Sequence, residues 1–227
     1  LLATGAALIV VGGVVLASAS GPVKRQPTCA LAEARQLATW NVPRRAELEK
    51  AFLATGLSYA QDALKRVDEA VRARGDSWRP LRTEACEAVL GSSSTPFFEA
   101  QLQCLDERWA ELEATLRVLA AGGPEAVNRA VPIIEKLPGP SACAGAASLA
   151  RFGADGGPCE ACVSDRAVVA KALALFEEGK FAEAGQVVAT GLDGGLTTAA
   201  ALAGFGFERG RVLEEEGKLD EAEAAFF

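Results

Sequence analysis

Six cysteines are the residues of this sequence whose side chains have the most definite chemistry. Cys86 and Cys104 lie on either side of the turn Gly91–Ser94, so we predict that they pair across a helical hairpin and close a loop of about 17 residues. Cys29 and Cys143 flank the same region, and a bond between them would tie its ends together. The alternative for Cys86 and Cys104 is two free, buried thiols. An even cysteine count suits disulfides if the chain reaches an oxidising compartment.

Cys159 and Cys162 form a C-x-x-C motif with three candidate uses. A structural zinc ion needs about four ligands, and the sequence has no histidine to complete the set. A redox-active pair is typical of a helix N-terminus that follows a strand, and no strand is predicted here. We favour a local structural disulfide between the two cysteines and keep a thiol–disulfide enzyme as an alternative.

The absence of histidine also removes the commonest general base in enzymes. Carboxylate pairs such as Glu111/Glu113 and Asp220/Glu221 are expected on solvated helix faces. The stretch Gly204–Val212 has glycines like those of a kinase nucleotide loop, but the third glycine is one residue late and no catalytic motif follows. We therefore predict no catalytic, cofactor-binding or metal-binding residue within the chain.

Composition indicates the fold class. Half of the 227 residues are hydrophobic, alanine is abundant, and β-branched and aromatic residues are few beyond the first 20 positions. This bias predicts an all-α protein. The net charge of −7 argues against a surface that neutralises nucleic-acid phosphates.

The segment Leu1–Ala19 carries no charge. As a helix it would span roughly 29 Å, close to the hydrocarbon thickness of about 30 Å, so we predict a transmembrane helix that binds the membrane. Ala17–Ala19 also fits the cleavage pattern of a secretory signal, and a buried core helix is a third interpretation. Lys24 and Arg25 slightly favour a cytoplasmic downstream side, whereas the cysteines favour an extracytoplasmic one. The absence of methionine and the apolar end indicate a piece of a longer protein.

The rest of the chain divides into four segments. Residues 20–28 read as a linker and 29–149 as an extracytoplasmic helical domain built on a hairpin. In this domain Pro96 begins a helix antiparallel to the helix before it, and Pro124 begins a further helix through Lys136. Residues 150–164 are rich in glycine and form a second linker. Residues 165–227 form the last unit.

That last unit repeats itself. The sequence Glu-Glu-Gly-Lys begins at Glu177 and again 38 residues later at Glu215, near the tetratricopeptide period of about 34. In each copy small residues would let paired helices approach closely, so residues 165–227 resemble tetratricopeptide helix pairs. The repeat-packing residues are Ala172, Gly179, Phe181 and Ala184 in the first copy and Gly210, Gly217, Leu219 and Ala222 in the second.

A further pattern runs from Cys29 onward. Its residues are Cys29, Trp40, Arg45, Ala51–Gly56, Tyr59, Ala60, Val67, Trp78, Glu84–Cys86, Cys104, Leu105, Arg108, Glu111, Leu112, Leu119, Ala120, Ala130, Val131 and Cys143. This pattern resembles the region after the membrane helix in receptor-type serine/threonine protein kinases of myxobacteria. The resemblance implies a kinase domain upstream of Leu1, which would use ATP and Mg²⁺, and one pass through the bacterial inner membrane.

These observations predict a sensor that binds a protein or peptide in the groove of its repeats and belongs to a membrane-anchored kinase. The alternative is an exported periplasmic tetratricopeptide scaffold without a kinase. No nucleic-acid partner is predicted, and no cofactor is expected in this part of the protein.

Overall fold

A computed structural model of the chain describes residue 29 and residues 31–91, 96–145, 149, 160–194 and 199–226. Within these ranges the backbone forms helices and no strand, which confirms the all-α prediction. The elements are α1 Leu31–Thr39, α2 Val42–Leu53, α3 Ala60–Leu90, α4 Pro96–Ala121, α5 Pro124–Lys136, a 3-10 turn Pro140–Cys143, α6 Glu160–Glu177, α7 Phe181–Asp193, α8 Ala199–Glu215 and α9 Leu219–Phe226.

Helix α3 continues for 31 residues through Gly75 and Pro80, two residues that often end helices. Gly75 is buried against α1, where a Cβ atom would lie only 2.3 Å from Nε2 of Gln36. The glycine therefore makes room for the Gln36 side chain at the contact between α1 and α3.

Helices α3 and α4 form the predicted antiparallel hairpin. The indole N–H of Trp78 donates to the carbonyl oxygen of Leu105 at 2.7 Å, and its ring stacks on Trp109 with the centroids 4.5 Å apart. Nearby, Arg82 Nε lies 2.7 Å from the carboxylate of Asp106. Both tryptophans are buried, so this aromatic stack forms the centre of the core.

The disulfides join different pairs from those predicted. Cys29 is bonded to Cys86, with the Cα atoms 5.5 Å apart, and Cys104 is bonded to Cys143, with the Cα atoms 5.7 Å apart. The predicted pairings of Cys86 with Cys104 and of Cys29 with Cys143 are therefore wrong. One bond fastens the start of α1 to the end of α3, and the other fastens α4 to the 3-10 turn.

The register of the hairpin explains this correction. Because Asp106 lies beside Arg82 in the antiparallel pair, the position opposite Cys86 is residue 102, two residues before Cys104. Two residues are about half a helical turn, so Cys104 points away from Cys86. Each cysteine then meets the element that covers its own part of the hairpin, α1 for Cys86 and the 3-10 turn for Cys104.

Helix α5 has the predicted bounds, beginning at Pro124 and ending at Lys136. Its C-terminal carbonyl groups are satisfied by Arg74 of α3, whose guanidinium donates to the oxygens of Ile134, Leu137 and Pro138 at 2.8–2.9 Å. A cation at this position also complements the helix dipole. Burial lowers the pKa of Arg74 despite the nearby charge of Glu111.

The predicted boundary between two units does not divide the core. Helix α6 begins at Glu160, five residues before Asp165, and packs along α4. Ala174 of α6, Ala184 of α7 and Val212 of α8 belong to the same buried cluster as Trp78 and Trp109. The repeats and the preceding helices thus share one hydrophobic core. Residues 150–159 of the predicted linker lie outside the described residues.

The predicted transmembrane helix Leu1–Ala19 and the linker 20–28 also lie outside the described residues. Within the ranges that the structure describes, every helix is too short or too polar to cross a bilayer. This finding contradicts the predicted single-pass location in the inner membrane with residues after 20 extracytoplasmic, and that prediction is withdrawn.

Candidate binding groove

The two repeat copies contain the same turn. After α6 the amide of Gly179 donates to Phe176 O and that of Lys180 to Leu175 O, at 2.8 and 2.9 Å. After α8 the amide of Gly217 donates to Glu214 O and that of Lys218 to Leu213 O, at 3.0 and 2.9 Å. Both glycines have a positive φ, 76° and 74°, as a Schellman helix end requires.

Four of the six small repeat-packing residues are buried, and the turn glycines Gly179 and Gly217 are exposed. Ala172 and Ala184 of the first copy and Gly210 and Ala222 of the second are all shielded from solvent. The larger positions differ between the copies. Phe181 is half-buried and packs edge-to-face on Phe176, with the ring centroids 5.1 Å apart. Leu219, at the same position of the second copy, is 65 % exposed to solvent.

Buried charges hold α6 against α4. Arg108 Nη2 lies 2.9 Å from Glu111 Oε1, and Arg166 of α6 reaches Glu107 Oε2 at 3.5 Å. Glu107, Arg108 and Glu111 are each less than a tenth exposed. The expectation that Glu111 lies on a solvated face is therefore wrong, because α6 covers that side of α4.

A groove of about 1130 Å³ lies between α4, α6 and α7, and we call it the repeat groove. One face of each helix contributes to it at helical spacing. Its walls combine valines with glycine and alanine, so the backbone of a bound chain could come close. The lining residues are Ala114, Arg117, Val118, Ala121, Gly122, Gly123, Asp165, Val168, Lys171, Leu175, Lys180, Glu183, Gln186, Val187, Thr190, Gly191 and Gly194.

The size of the repeat groove suits an extended segment of polypeptide. Along α7 the lining residues run from Glu183 to Gly194, a distance of about 16 Å at the helical rise. An extended chain rises about 3.3 Å per residue, so about five residues would fit along this wall. The volume also exceeds the range typical of small-molecule sites, about 300–1,000 Å³.

Two cations line the repeat groove without a protein partner in the described part of the chain. The side chains of Arg117 and Lys171 are exposed, and neither makes an ion pair or hydrogen bond there. Lys180 is neutralised by Glu178, whose carboxylate lies 2.7 Å from Nζ. The carboxylates of Asp165 and Glu183 also line the groove, so charges of both signs lie beside the apolar wall. Arg117 and Lys171 are the positions where a ligand carboxylate could bind.

The C-x-x-C motif and the glycine-rich stretch do not form a reactive site within the described residues. Cys162 is disulfide-bonded, and Cys159 lies outside the described residues, so their mutual pairing stays a prediction. The stretch Gly204–Val212 lies inside α8 and is helical. No group of acidic or sulfur side chains within the described ranges has the arrangement of a metal site.

Sequence reasoning missed the cations of the groove. It identified the small residues that pack the repeats, but Arg117 and Lys171 look like ordinary solvated residues until α6 is known to lie along α4. The signal available in the sequence was their place on helix faces otherwise lined by alanine and valine. That signal does not indicate a binding site until the position of the neighbouring helix is known.

Comparison with known proteins adds no relative. No family model matches the chain, and no curated protein or solved structure does so significantly. The resemblance to myxobacterial kinases therefore stays a prediction, and the geometry of the groove carries the functional argument.

Proposed function

We propose that this chain is a protein-binding module that holds a short extended segment of a partner protein in the repeat groove. The observation that carries the proposal is a groove between three helices that places Arg117 and Lys171, which have no partner among the described residues, beside apolar side chains. The segment would carry at least one carboxylate for these cations and aliphatic side chains for the valines of the wall.

The repeated turns at the ends of α6 and α8 support this proposal. The matched Schellman turns at Gly179 and Gly217 and the buried small residues of both copies are what stacked helix pairs need. Peptide binding in a groove between such pairs needs no catalytic residue, which agrees with a sequence that lacks histidine.

The resemblance to receptor-type kinases extends the proposal to the parent protein. In this larger proposal the module is the sensor of a serine/threonine kinase whose domain precedes Leu1 and uses ATP and Mg²⁺. An exported scaffold with the same groove and no kinase is the alternative. The coding sequence upstream of Leu1 separates the two, because kinase catalytic motifs support the first and a short basic start after methionine supports the second.

Peptide selection tests the groove. The full chain with its disulfides intact is used to select from a displayed library of random heptapeptides, and the enriched peptides are synthesised with a fluorescent label. Fluorescence polarisation then gives their dissociation constants for the wild type and two variants. Thr190→Trp fills the repeat groove, while Ala189→Trp places the same ring on the adjacent exposed residue of α7 outside it.

We expect enriched peptides with carboxylate and aliphatic side chains. Thr190→Trp should weaken their binding at least tenfold, and Ala189→Trp should leave it within about twofold. Lys171→Glu should also weaken binding, because it reverses the charge at one of the two positions proposed to bind the carboxylate. Selection without enrichment, or equal binding by both tryptophan variants, would exclude the repeat groove as the site.

A further inference from the structure

A second, smaller groove shares Arg117 and Ala121 with the repeat groove. It occupies about 520 Å³ between the end of α1, the start of α2 and the last turns of α4, and we call it the Trp40 groove. This volume falls within the range of small-molecule sites, about 300–1,000 Å³. Its lining residues are Ala38, Thr39, Trp40, Arg44, Glu47, Leu48, Glu113, Leu116, Arg117, Ala120 and Ala121.

The floor of the Trp40 groove is apolar and rigid. Leu48 and Leu116 are buried, and Trp40 is held in place because its indole N–H donates to Asp68 at 2.8 Å. Asp68 also accepts from Arg72, and Arg45 lies nearby. Burial alone would raise the pKa of Asp68, but these hydrogen bonds and charges outweigh it and keep the pKa below its ordinary value. Trp40 therefore offers a fixed aromatic wall.

Three of the four charged groups in the Trp40 groove are already neutralised. Arg44 pairs with Glu47 at 3.1 Å, and Glu113 accepts from Arg35 at 3.4 Å and from the hydroxyl of Thr39 at 2.6 Å. Arg117 makes no ion pair or hydrogen bond to any described residue. The groove thus presents one uncompensated cation beside an apolar floor.

We propose that the Trp40 groove binds a small amphipathic carboxylate, with the carboxylate on Arg117 and the apolar body on Trp40, Leu48 and Leu116. Guanidinium groups bind carboxylates through paired N–H donors, and the apolar floor selects an organic acid over an inorganic anion. This site shares Arg117 and Ala121 with the repeat groove, but it needs no peptide bound there.

The hydrogen bonds behind the groove provide a reporter of binding. The indole N–H of Trp109 donates to the Thr39 hydroxyl at 2.9 Å, and Thr39 lines the groove. The indole N–H of Trp78 instead donates to a main-chain carbonyl in the core. The chain has three tryptophans, so their indole signals in a ¹H–¹⁵N spectrum distinguish the groove from the core.

The test titrates the full chain with acetate, hexanoate, phenylacetate and indole-3-acetate, each beside its neutral amide. Among the larger acids, at least one should bind at least tenfold more tightly than its amide. Its binding should shift the indole signals of Trp40 and Trp109 more than that of Trp78, which stacks on Trp109 but donates to a main-chain carbonyl in the core. If no acid binds better than its amide, or if all three indole signals move together, the proposal is wrong.

Variants locate the binding. Arg117→Gln should abolish the preference for the acid, and Arg117→Lys should restore part of it. Ala38→Phe should block the groove, whereas Ala34→Phe places the same ring on exposed α1 surface outside it and should not. Thr190→Trp in the repeat groove should leave acid binding unchanged, so failure of the peptide proposal and failure of this one are distinguishable. Full acid binding by Arg117→Gln or Ala38→Phe would overturn the assignment.

Discussion

Glu177 and Glu178 are neighbours at the end of α6, yet their carboxyl groups have pKa values displaced in opposite directions. Glu177 lies 2.7 Å from Lys136 Nζ and 3.5 Å from Arg211 Nη2. Burial alone would raise its pKa, but these two cations outweigh burial and lower it. For Glu178, burial raises the pKa and outweighs the ion pair with Lys180.

Neutralising these two residues should therefore change stability in opposite directions at pH 7. The folded-state pKa of Glu177 is below its unfolded value, so its contribution is present above the unfolded pKa and is lost as the pH falls through the folded pKa. Glu177→Gln should lower the free energy of unfolding by about 1 kcal/mol at pH 7. The folded-state pKa of Glu178 is above its unfolded value, so ionisation destabilises the fold as the pH rises, and Glu178→Gln should raise the melting temperature.

Thermal unfolding of both variants between pH 3 and 8 checks this prediction. Both differences from wild type should shrink as the pH falls below the ordinary glutamate pKa of about 4.3, because the wild-type carboxyl groups become protonated. Destabilisation by Glu178→Gln at pH 7 would mean that its ion pair with Lys180 outweighs its burial.

The disulfide pairs predict a specific peptide map. Cleavage after both basic residues and glutamate separates Cys86 from Cys104, because Glu87 and Glu99 lie between them. Non-reducing mass spectrometry should then find the Cys29 peptide joined to the Cys86 peptide. A peptide that joins Cys86 to Cys104 would contradict the structure.

Loss of the second disulfide should be costly. Cys104→Ala combined with Cys143→Ala opens a link between residues 39 positions apart. The chain-entropy relation gives about 4 kcal/mol for such a loop. Urea unfolding under oxidising conditions measures the difference between this double variant and the wild type with its disulfides intact.

Replacing the turn glycine Gly179 and the helix glycine Gly185 by alanine should change the stability of the fold in opposite directions. Gly179 has φ 76°, so Gly179→Ala should cost about 1 kcal/mol although a Cβ atom there meets no neighbour. Gly185 lies inside α7, and its Cβ would make ordinary contact with Val212 at 3.5 Å. Gly185→Ala should be neutral or stabilise by up to about 1 kcal/mol. Urea midpoints of the two variants, which should move to opposite sides of wild type, measure both effects.

Asp106 of α4 should stabilise the packing of α1, α3 and α4. Its carboxylate pairs with Arg82 at 2.7 Å and with Arg35 of α1 at 3.2 Å, and Arg82 is buried. Asp106→Asn should cost about 2 kcal/mol, because it leaves Arg82 without its countercharge. The exposed pair of Asp76 with Arg79 is the matched control, and Asp76→Asn should change stability by less than about 0.5 kcal/mol. Equal effects in urea unfolding would contradict this role.

The local features of the fold were predictable, and the contacts between distant elements were not. Pro96 and Pro124 begin α4 and α5 as expected, since proline favours the first turn of a helix. Glu111 was misassigned because a charged helix face looks the same whether solvent or another charged helix covers it. The cysteine partners depend on the hairpin register, which residue spacing alone does not define.

The disulfides Cys29–Cys86 and Cys104–Cys143 close loops that follow one another along the chain without overlapping. A pulling force applied at Cys29 would pass directly to Cys86, run along the chain to Cys104 and leave at Cys143. Only the residues between Cys86 and Cys104 would bear tension, and when fully extended they reach at most about 60 Å. The disulfides thus make residues 86–104 a short tether that transmits the load, while α1, α2 and α5 lie outside the path of the force.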